Sequence, residues 1–302
     1  MPLVSLTELL TAARRGGYAV CYCEAWNLES FEAVLDAAEE VDSPVIAGFN
    51  GGFLNYSERP RPESLSCYAG MGAALRESPL PAAFLLNETD DFAQICRGID
   101  LGFNAVMVDN DHLATKDYTP LVKKVTQLAH RAGVAVEAAV GRLPDGSGAV
   151  QAETTDPSVA REFVEETGID TLGVAVGNIH ILTRGEAELD LEALARISEL
   201  VPVPLVLHGG SSIPLEQVQS YIRCGVAKIN FGTVLKQAYL EAIRNKLADY
   251  AKPMNPHPFL GMGGPDDLLM AGRNAVKQKV KELLTQCGSA GKAREIGRNA
   301  DD

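Results

Sequence analysis

Eight short apolar runs, separated by helical patterns, constrain the fold of this sequence more than any other feature. They cover residues 18–26, 43–50, 81–87, 105–109, 134–140, 171–176, 204–209 and 227–231. Short runs that are mostly apolar are typical of strands buried on both faces of a parallel sheet. Eight strand–helix units in roughly 235 residues fit a closed barrel better than an open doubly wound sheet, which usually has fewer strands. The sequence therefore predicts an α/β fold, a (β/α)8 TIM barrel.

Helical patterns continue beyond the eighth strand. One helix is predicted from about residue 233 to 251 and another near 266–286, joined by a loop rich in Pro and Gly. Earlier in the chain, Asp156 and Pro157 give a capping acid and a first-turn proline, and Gly168 marks the end of that helix. No composition shift marks a domain boundary, so residues 1–293 are predicted to form one barrel with an additional C-terminal helix. Residues 294–302 are polar and are predicted to form a flexible tail.

Composition and charge exclude several classes of function. The 302 residues carry a net charge of −13, and no stretch is rich in Lys or Arg, which argues against a nucleic-acid partner or an anionic membrane surface. No apolar run is long enough to span a membrane and no secretion signal is present, so a cytoplasmic protein is predicted. The six cysteines form no CxxC pair, and neither a zinc ribbon nor a disulfide framework is indicated.

Ionisable side chains follow several predicted strands at their carboxyl ends, where barrel enzymes place their chemistry. His180 follows the sixth strand and His208 the seventh, while Glu24 and Glu88 follow the first and third. Each histidine is a candidate metal ligand, or alternatively a core-edge histidine bonded to the backbone. Because all four side chains would point into one cavity, a shared site is the favoured interpretation.

The seventh and eighth strands end in groups suited to an anion. Gly209 and Gly210 follow His208 directly, and glycines allow backbone N–H groups to approach a ligand closely. Asn230 and Thr233 follow the eighth strand and can hydrogen-bond an anion. Barrel enzymes frequently bind phosphate at these two strand ends. The glycine pair alone could be no more than a tight turn, so the prediction depends on both strand ends together.

Motifs along nearly the whole chain match, in order, those of one enzyme family. The matching segments are residues 106–109 with His112, 129–138, 141–143, 155–157, 174–177 with His180, 208–211, 227–230 with Thr233, and 288–292. They resemble the class II, metal-dependent fructose- and tagatose-bisphosphate aldolases. The resemblance implies a barrel that forms a homodimer or homotetramer and polarises the carbonyl of a ketose phosphate with one divalent ion, commonly Zn²⁺.

The resemblance also implies a metal site that departs from the family pattern. His180 and His208 match two of the family's three histidine ligands. Glu88 stands at the position of the third, and Asn87 stands where the family has its catalytic aspartate. An amide cannot exchange a proton near neutral pH, so Asn87 occupies the catalytic position without its chemistry.

Other residues are expected to supply the proton transfer and the substrate contacts. Glu24, which replaces an asparagine of the family, or Asp145, in the loop after the fifth strand, is expected to move the proton. The substrate- and phosphate-binding positions implied by the resemblance are Asn50, Arg184, Gly209, Gly210, Ser211, Asn230 and Thr233. The expected ligand is a small phosphorylated, sugar-like molecule.

Three functions fit this pattern. The first is a metal-dependent aldolase or lyase for a phosphorylated ketose or similar carbonyl compound, acting by enediolate stabilisation, with Glu88 joining His180 and His208 on the metal. A carboxylate ligand would favour Mn²⁺, Co²⁺ or Fe²⁺ over Zn²⁺. The second is a metal-dependent epimerase or isomerase in which two carboxylates exchange a proton with the sugar. The third is a non-catalytic phosphosugar-binding protein. We rank them in this order, because a changed site on an enzyme scaffold more often signals altered chemistry than none.

Overall fold

The eight apolar runs form parallel strands that close into a barrel. The computed structural model describes residues 3–110, 113–144, 153–182, 185–248, 250 and 254–296. The strands are β1 (Val20–Ala25), β2 (Val45–Asn50), β3 (Ala82–Thr89), β4 (Ala105–Val108), β5 (Ala135–Val140), β6 (Thr171–Val174), β7 (Leu205–Leu207) and β8 (Val226–Phe231). Each strand pairs with the next along the chain, and β8 pairs with β1. The predicted TIM barrel is confirmed, and every strand boundary lies within two residues of its prediction.

Helices cover the outside of the barrel. They are α1 (Leu6–Gly16), α2 (Leu28–Glu40), α3 (Gly51–Leu54), α4 (Leu65–Glu77), α5 (Phe92–Leu101), α6 (Thr115–Arg131), α7 (Pro157–Thr167), α8 (Leu191–Leu200), α9 (Val218–Arg223), α10 (Thr233–Leu247) and α11 (Leu268–Gln286). The predicted capping of α7 is confirmed, because the Asp156 side chain accepts the N–H groups of Ser158 and Val159, and Gly168 ends the helix in the left-handed conformation. None of the described helices is both long and apolar enough to cross a membrane.

Helix α1 closes the N-terminal end of the barrel and was not expected from the sequence. Leu6, Leu9, Leu10 and Ala13 lie on one face of it and are fully buried. They pack against the inner residues at the starts of the strands, including Val20 of β1. Because this end is plugged by apolar side chains, access to the interior is from the carboxyl ends of the strands.

The helices after β8 complete the wall beside β1. Helix α10 begins at the predicted residue, and α11 begins at Leu268, two residues later than predicted, because the Asp267 carboxylate caps its first turn. The two helices pack against each other, and α11 also packs against α2. Arg273 of α11 makes ion pairs with Glu32 and Asp36 of α2. Residues 297–302 of the predicted tail lie outside the described residues.

Candidate active site

His208 follows β7 and is held by carboxylates on both sides of its ring. Its Nε2 lies 2.8 Å from Glu137 Oε1, and its Nδ1 lies 3.1 Å from Glu88 Oε1. Burial by itself lowers the pKa of this imidazole, but the hydrogen bonds to Glu137 and Glu88 outweigh burial and raise the pKa to about 9. The ring is therefore fixed in one orientation, with Nδ1 directed at Glu88.

A buried ion pair in the barrel interior supports this orientation. Lys228 Nζ on β8 lies 2.7 Å from Glu137 Oε2 and 2.7 Å from Asn230 Oδ1. Neither charged side chain has any exposed surface. Burial raises the pKa of Glu137, but the charge of Lys228 and the bond to His208 outweigh burial, so the pKa is lowered. Glu137 therefore remains a carboxylate. It holds His208 in place, as carboxylates beside metal sites hold the imidazole that binds the ion.

Glu88 reaches the same point because the end of β3 is irregular. In a regular strand, Asn87 and Glu88 would point to opposite faces of the sheet. The pairing of β3 with β4 shifts between Leu86 and Thr89, and Glu88 has a φ of +49°. This left-handed conformation is unfavourable for a residue with a side chain, and such strain concentrates at functional sites. The irregularity turns the carboxylate of Glu88 into the barrel beside His208.

Glu88, His180 and His208 form a candidate metal site. Their ligand atoms lie within 4.8 Å of one another, and no second group of this kind occurs among the described residues. The ring centroids of the two histidines are 5.7 Å apart. Burial raises the pKa of Glu88, but the His208 hydrogen bond and the charges of both histidines bring the pKa down to about 2. Asn50 Nδ2 donates a hydrogen bond to Glu88 Oε2 at 2.5 Å and holds the carboxylate in place.

The loop after β7 and the N-terminus of α10 form another side of the barrel mouth, next to His208. The N–H of Val234 donates to Ser211 Oγ at 3.1 Å, which ties the loop to the first turn of the helix. Gly232 and Thr233 lie at the start of this 15-residue helix. The N–H groups and the dipole at a helix N-terminus favour an anion. This part of the mouth is the candidate phosphate site.

Gly210, which the sequence predicts as a phosphate-binding residue, packs closely against β8. A Cβ at Gly210 would lie 2.6 Å from the carbonyl oxygen of Asn230, so the residue must be glycine to pack against β8. Gly209 and Ser211 line the cleft at the barrel mouth, whereas Gly210 lines a separate cavity on the outer side of the loop. A bulky residue at position 210 would therefore disturb β8 itself, and it is not a clean test of phosphate binding.

Glu24 and Lys236 form an ion pair between the two sides of the mouth. Burial raises the pKa of Glu24, the charge of Glu88 raises it further, and Lys236 opposes both without cancelling them. Lys236 Nζ lies 4.5 Å from the centre of the Phe53 ring. Glu24 is therefore a carboxyl group whose pKa has moved toward neutrality, which suits an acid–base group.

One cleft of about 470 Å³ joins these groups. The residues on its wall include Tyr22, Glu24, Asn50, Asn87, Glu88, His180, Gly209, Ser211, Asn230, Thr233 and Lys236. Two of the predicted substrate-binding amides already have protein partners, Asn50 with Glu88 and Asn230 with Lys228. Asn230 Nδ2 also lies 3.2 Å from His208 Nε2. Asp145, Arg184 and His112 lie outside the described residues.

Residues 4–292 match the family model described as fructose-bisphosphate aldolase class-II. The chain belongs to this family. A fructose-bisphosphate aldolase of Geobacillus stearothermophilus is 35% identical to this class II aldolase over 98% of the chain and 100% of that protein. The crystal structure of the YdjI aldolase from Escherichia coli K12 is 31% identical with a TM-score of 0.79, covering 96% of this chain and 99% of that one. The fructose-bisphosphate aldolase of Campylobacter jejuni shares the fold. It is 20% identical with a TM-score of 0.75, covering 96% of this chain and 97% of that one.

Family membership makes the chain a carbon–carbon lyase of the aldolase type. The site of this class II aldolase also contains residues that were not among the predicted site residues, namely Tyr22, Glu137, Lys228 and Lys236. A signal was present for two of them. Glu137 and Lys228 are charges inside otherwise apolar strands, and a buried charge requires a partner. The sequence could not show that they pair with each other, because 90 residues separate them.

Proposed function

We propose that this class II aldolase is a metal-dependent lyase that cleaves a phosphorylated ketose into two carbonyl fragments. The observation that carries the proposal is the position of Glu88, His180 and His208, whose ligand atoms lie within 4.8 Å of one another and which together line a pocket in the barrel mouth. Glu88 and His180 also line the larger cleft, which extends to the N-terminus of α10, where a phosphate would bind. A carbonyl group and a phosphate of one small molecule can therefore lie at these two places at once.

The donor set fits one divalent ion. Two imidazoles and one carboxylate make three protein ligands, the number that catalytic sites use while leaving a position for substrate. His208 Nδ1 must lose its proton to bind an ion, and Glu137 fixes the proton on Nε2. A bound ion would polarise the ketose carbonyl and stabilise the charge that develops on its oxygen. The carboxylate ligand favours Mn²⁺, Co²⁺ or Fe²⁺, whereas the family resemblance favours Zn²⁺.

Glu24 is the proposed acid–base group. Asn87 cannot exchange a proton, whereas the buried Glu24 carboxylate with its raised pKa can. Glu24 would accept a proton from one hydroxyl group of the substrate. The carbon that carries this hydroxyl is bonded to the carbon next to the carbonyl. That C–C bond then breaks, the hydroxyl carbon leaves as an aldehyde, and the bonding electrons remain on the carbonyl-bearing fragment. The proton returns from Glu24 to the carbon that lost this bond, which gives the second carbonyl fragment and restores the carboxylate. Lys236, paired with Glu24, stabilises the carboxylate between cycles. Asp145 remains the alternative acid–base candidate from the sequence.

The phosphate is proposed to bind at the start of α10. Thr233, Ser211 and the backbone of Gly209 line this end of the cleft, and Arg184 is a further candidate from the sequence. We also propose that the protein forms a homodimer or homotetramer. We propose that it works in the cytoplasm, since charged sugar phosphates do not cross membranes unaided.

A second candidate reaction is epimerisation or isomerisation of a sugar phosphate. The specific observation in its favour is that two carboxylates, Glu24 and Glu88, line the same cleft. Two such groups could remove and return a proton at one carbon. Product analysis separates the two reactions, because an aldolase releases two fragments and an epimerase releases one isomer.

Metal analysis combined with an assay of carbonyl products tests the proposed function. Protein purified without chelator should contain about one divalent ion per chain, and His180→Ala and His208→Ala should lose both the ion and cleavage of ketose phosphates. His130→Ala is the matched control, because His130 is half exposed and bonded to Asp170 at 2.9 Å, away from the cleft. Unchanged metal content in both active-site variants would overturn the metal site. Metal-containing protein that yields one isomer and no fragments would establish the epimerase instead.

A further inference from the structure

Lys236 is a cation in a place where the helix itself disfavours one. It lies in the first turn of α10, and no acidic residue shares that turn. The helix dipole favours anions at this end and opposes a positive charge. Among the described residues on the wall of the cleft, Lys236 is the one lysine or arginine. Its position therefore indicates a role toward the cleft and not toward the stability of the helix.

The ion pair between Lys236 and Glu24 has one accessible and one buried partner. Lys236 Nζ donates a hydrogen bond to Glu24 Oε1, and the side chains are 33% and 11% exposed, respectively. Lys236 Nζ also lies 4.5 Å from the centre of the Phe53 ring and 5.9 Å from that of Trp26. Because the lysine stem is flexible and its end reaches water, Nζ can leave Glu24, whereas the carboxylate stays in place.

The carboxylate of Glu24 lies against the backbone at the start of α10. A Cβ at Gly232 would lie 2.7 Å from Glu24 Oε2, so the missing side chain leaves space for the carboxylate. Gly232 directly precedes Thr233, the first residue of the helix. A phosphate bound at the first turn would therefore lie close to this carboxylate, and the two anions repel each other. A cation that contacts the phosphate offsets this repulsion.

We propose that Lys236 is an exchangeable counter-ion, which pairs with Glu24 in the free protein and with the phosphate when the substrate binds. The inference rests on the proposed function and adds a coupling between the two ends of the cleft. Burial and the charge of Glu88 raise the pKa of Glu24, and Lys236 opposes both. Departure of Nζ therefore raises the pKa further and makes Glu24 a stronger base. The phosphate of the substrate thus activates the group that accepts its hydroxyl proton.

Calorimetry with inorganic phosphate tests the exchange in protein purified without chelator. Lys236→Met keeps the stem beside the two rings but removes the charge, so the affinity should fall about 3- to 30-fold, and Lys236→Arg should keep most of it. Glu24→Gln releases Lys236 from its partner and should bind phosphate more tightly than wild type. This gain should be smaller when Lys236 is already methionine, since no ion pair is then left to break.

The pH dependence of ketose phosphate cleavage gives a second readout. The profile of kcat/KM reports the free enzyme and that of kcat reports the substrate complex. Lys236→Met should raise the pKa of Glu24 in the kcat/KM profile and leave the kcat profile unchanged, because Lys236 has already left Glu24 in the complex. A shift of both profiles would show that Lys236 stays on Glu24, and it would overturn the exchange.

Lys246→Met is the matched control for the calorimetry. Lys246 lies on the same helix and pairs with Asp266 at 2.8 Å, outside the cleft, so the same loss of charge should leave phosphate affinity unchanged. Wild-type affinity in Lys236→Met, or an equal gain from Glu24→Gln with and without Lys236, would overturn the exchange alone. Wild-type protein that binds no inorganic phosphate would overturn the phosphate site of the proposed function together with the exchange.

Discussion

The two sides of the barrel mouth handle charge in different ways. On the metal side, Glu88, His208, Glu137 and Lys228 form a continuous chain of ion pairs with distances from 2.7 to 3.1 Å, and Glu137 and Lys228 have no exposed surface. On the phosphate side, the fixed groups are the first turn of α10 and the loop after β7, and the cation described there is Lys236, which is paired with Glu24 and whose side chain is 33% exposed. Opposite charges are paired with each other in the interior, whereas at the rim backbone dipoles are available to bind an anion.

This difference follows from the cost of burying charge. A charge inside the barrel must be paired at once, because the interior does not solvate it. At the rim, water and ligand exchange easily, so the protein can present N–H groups and leave the matching charge to the ligand. The metal side is therefore expected to contribute to folding, and the phosphate side mainly to affinity.

The largest expected effect lies at Glu24, between the two sides. Glu24→Gln keeps the size of the side chain but removes the proton acceptor, so kcat for cleavage of the physiological ketose phosphate should fall about 10²- to 10⁴-fold. Metal content should stay the same, because Glu24 is not one of the clustered ligand groups. Steady-state kinetics with elemental analysis checks both statements. If the variant had wild-type kcat, the acid–base group would have to be another residue.

The next largest effect is expected for stability, at the buried pair. Lys228→Met leaves the Glu137 carboxylate buried without its partner, which should lower the free energy of unfolding by about 3–5 kcal/mol. The double variant Lys228→Met with Glu137→Gln removes both charges and should regain much of that loss. Urea denaturation of wild type and the two variants measures these differences in the free energy of unfolding. If the single variant were as stable as wild type, the metal side would not depend on this ion pair.

A smaller effect is expected on the phosphate side. Ser211→Ala removes the hydroxyl that joins the loop to the Val234 N–H and lines the cleft. Binding of inorganic phosphate should weaken about 2- to 10-fold, as expected for one hydrogen bond of ordinary strength. Ser158→Ala, at an exposed position on α7, is the control and should bind phosphate normally. Equal affinity in both variants would remove Ser211 from the phosphate site.

The smallest expected effect is a pH dependence of stability. The pKa of Glu24 is raised above its ordinary 4.5 in the folded chain, so its contribution to stability is present below pH 4.5 and is lost as the pH rises through the folded pKa. The stability of wild type relative to Glu24→Gln should therefore decrease from pH 4.5 upward. Glu137, whose pKa is lowered, should show the opposite trend in a Glu137→Gln comparison. Urea denaturation at several pH values measures both trends, and parallel curves would contradict the difference between the two sides.

Much of the site could be predicted from the sequence because strand ends define the mouth of a parallel barrel. His180, His208 and Glu88 come together as their places after β6, β7 and β3 indicate. The turn of Glu88 into the barrel could not be predicted, since it depends on a register shift against β4. The contact of Gly210 with β8 could not be predicted for a related reason. A glycine pair after a strand fits an anion loop, and only the packing against β8 shows that one of the two glycines serves that contact.

The sequence by itself determined the barrel, because the alternation of apolar runs and helical patterns is local and every strand is buried on both faces. It also indicated that Glu24, Glu88, His180 and His208 follow strands at the mouth. Tertiary structure alone decided which of these groups touch one another. Glu137 meets Lys228 across the interior, Glu24 meets Lys236 across the mouth, and the hydroxyl of Tyr22 is left without a protein partner among the described residues. Such pairings depend on barrel closure and on distances between residues far apart in the chain, which hydrophobic periodicity does not encode.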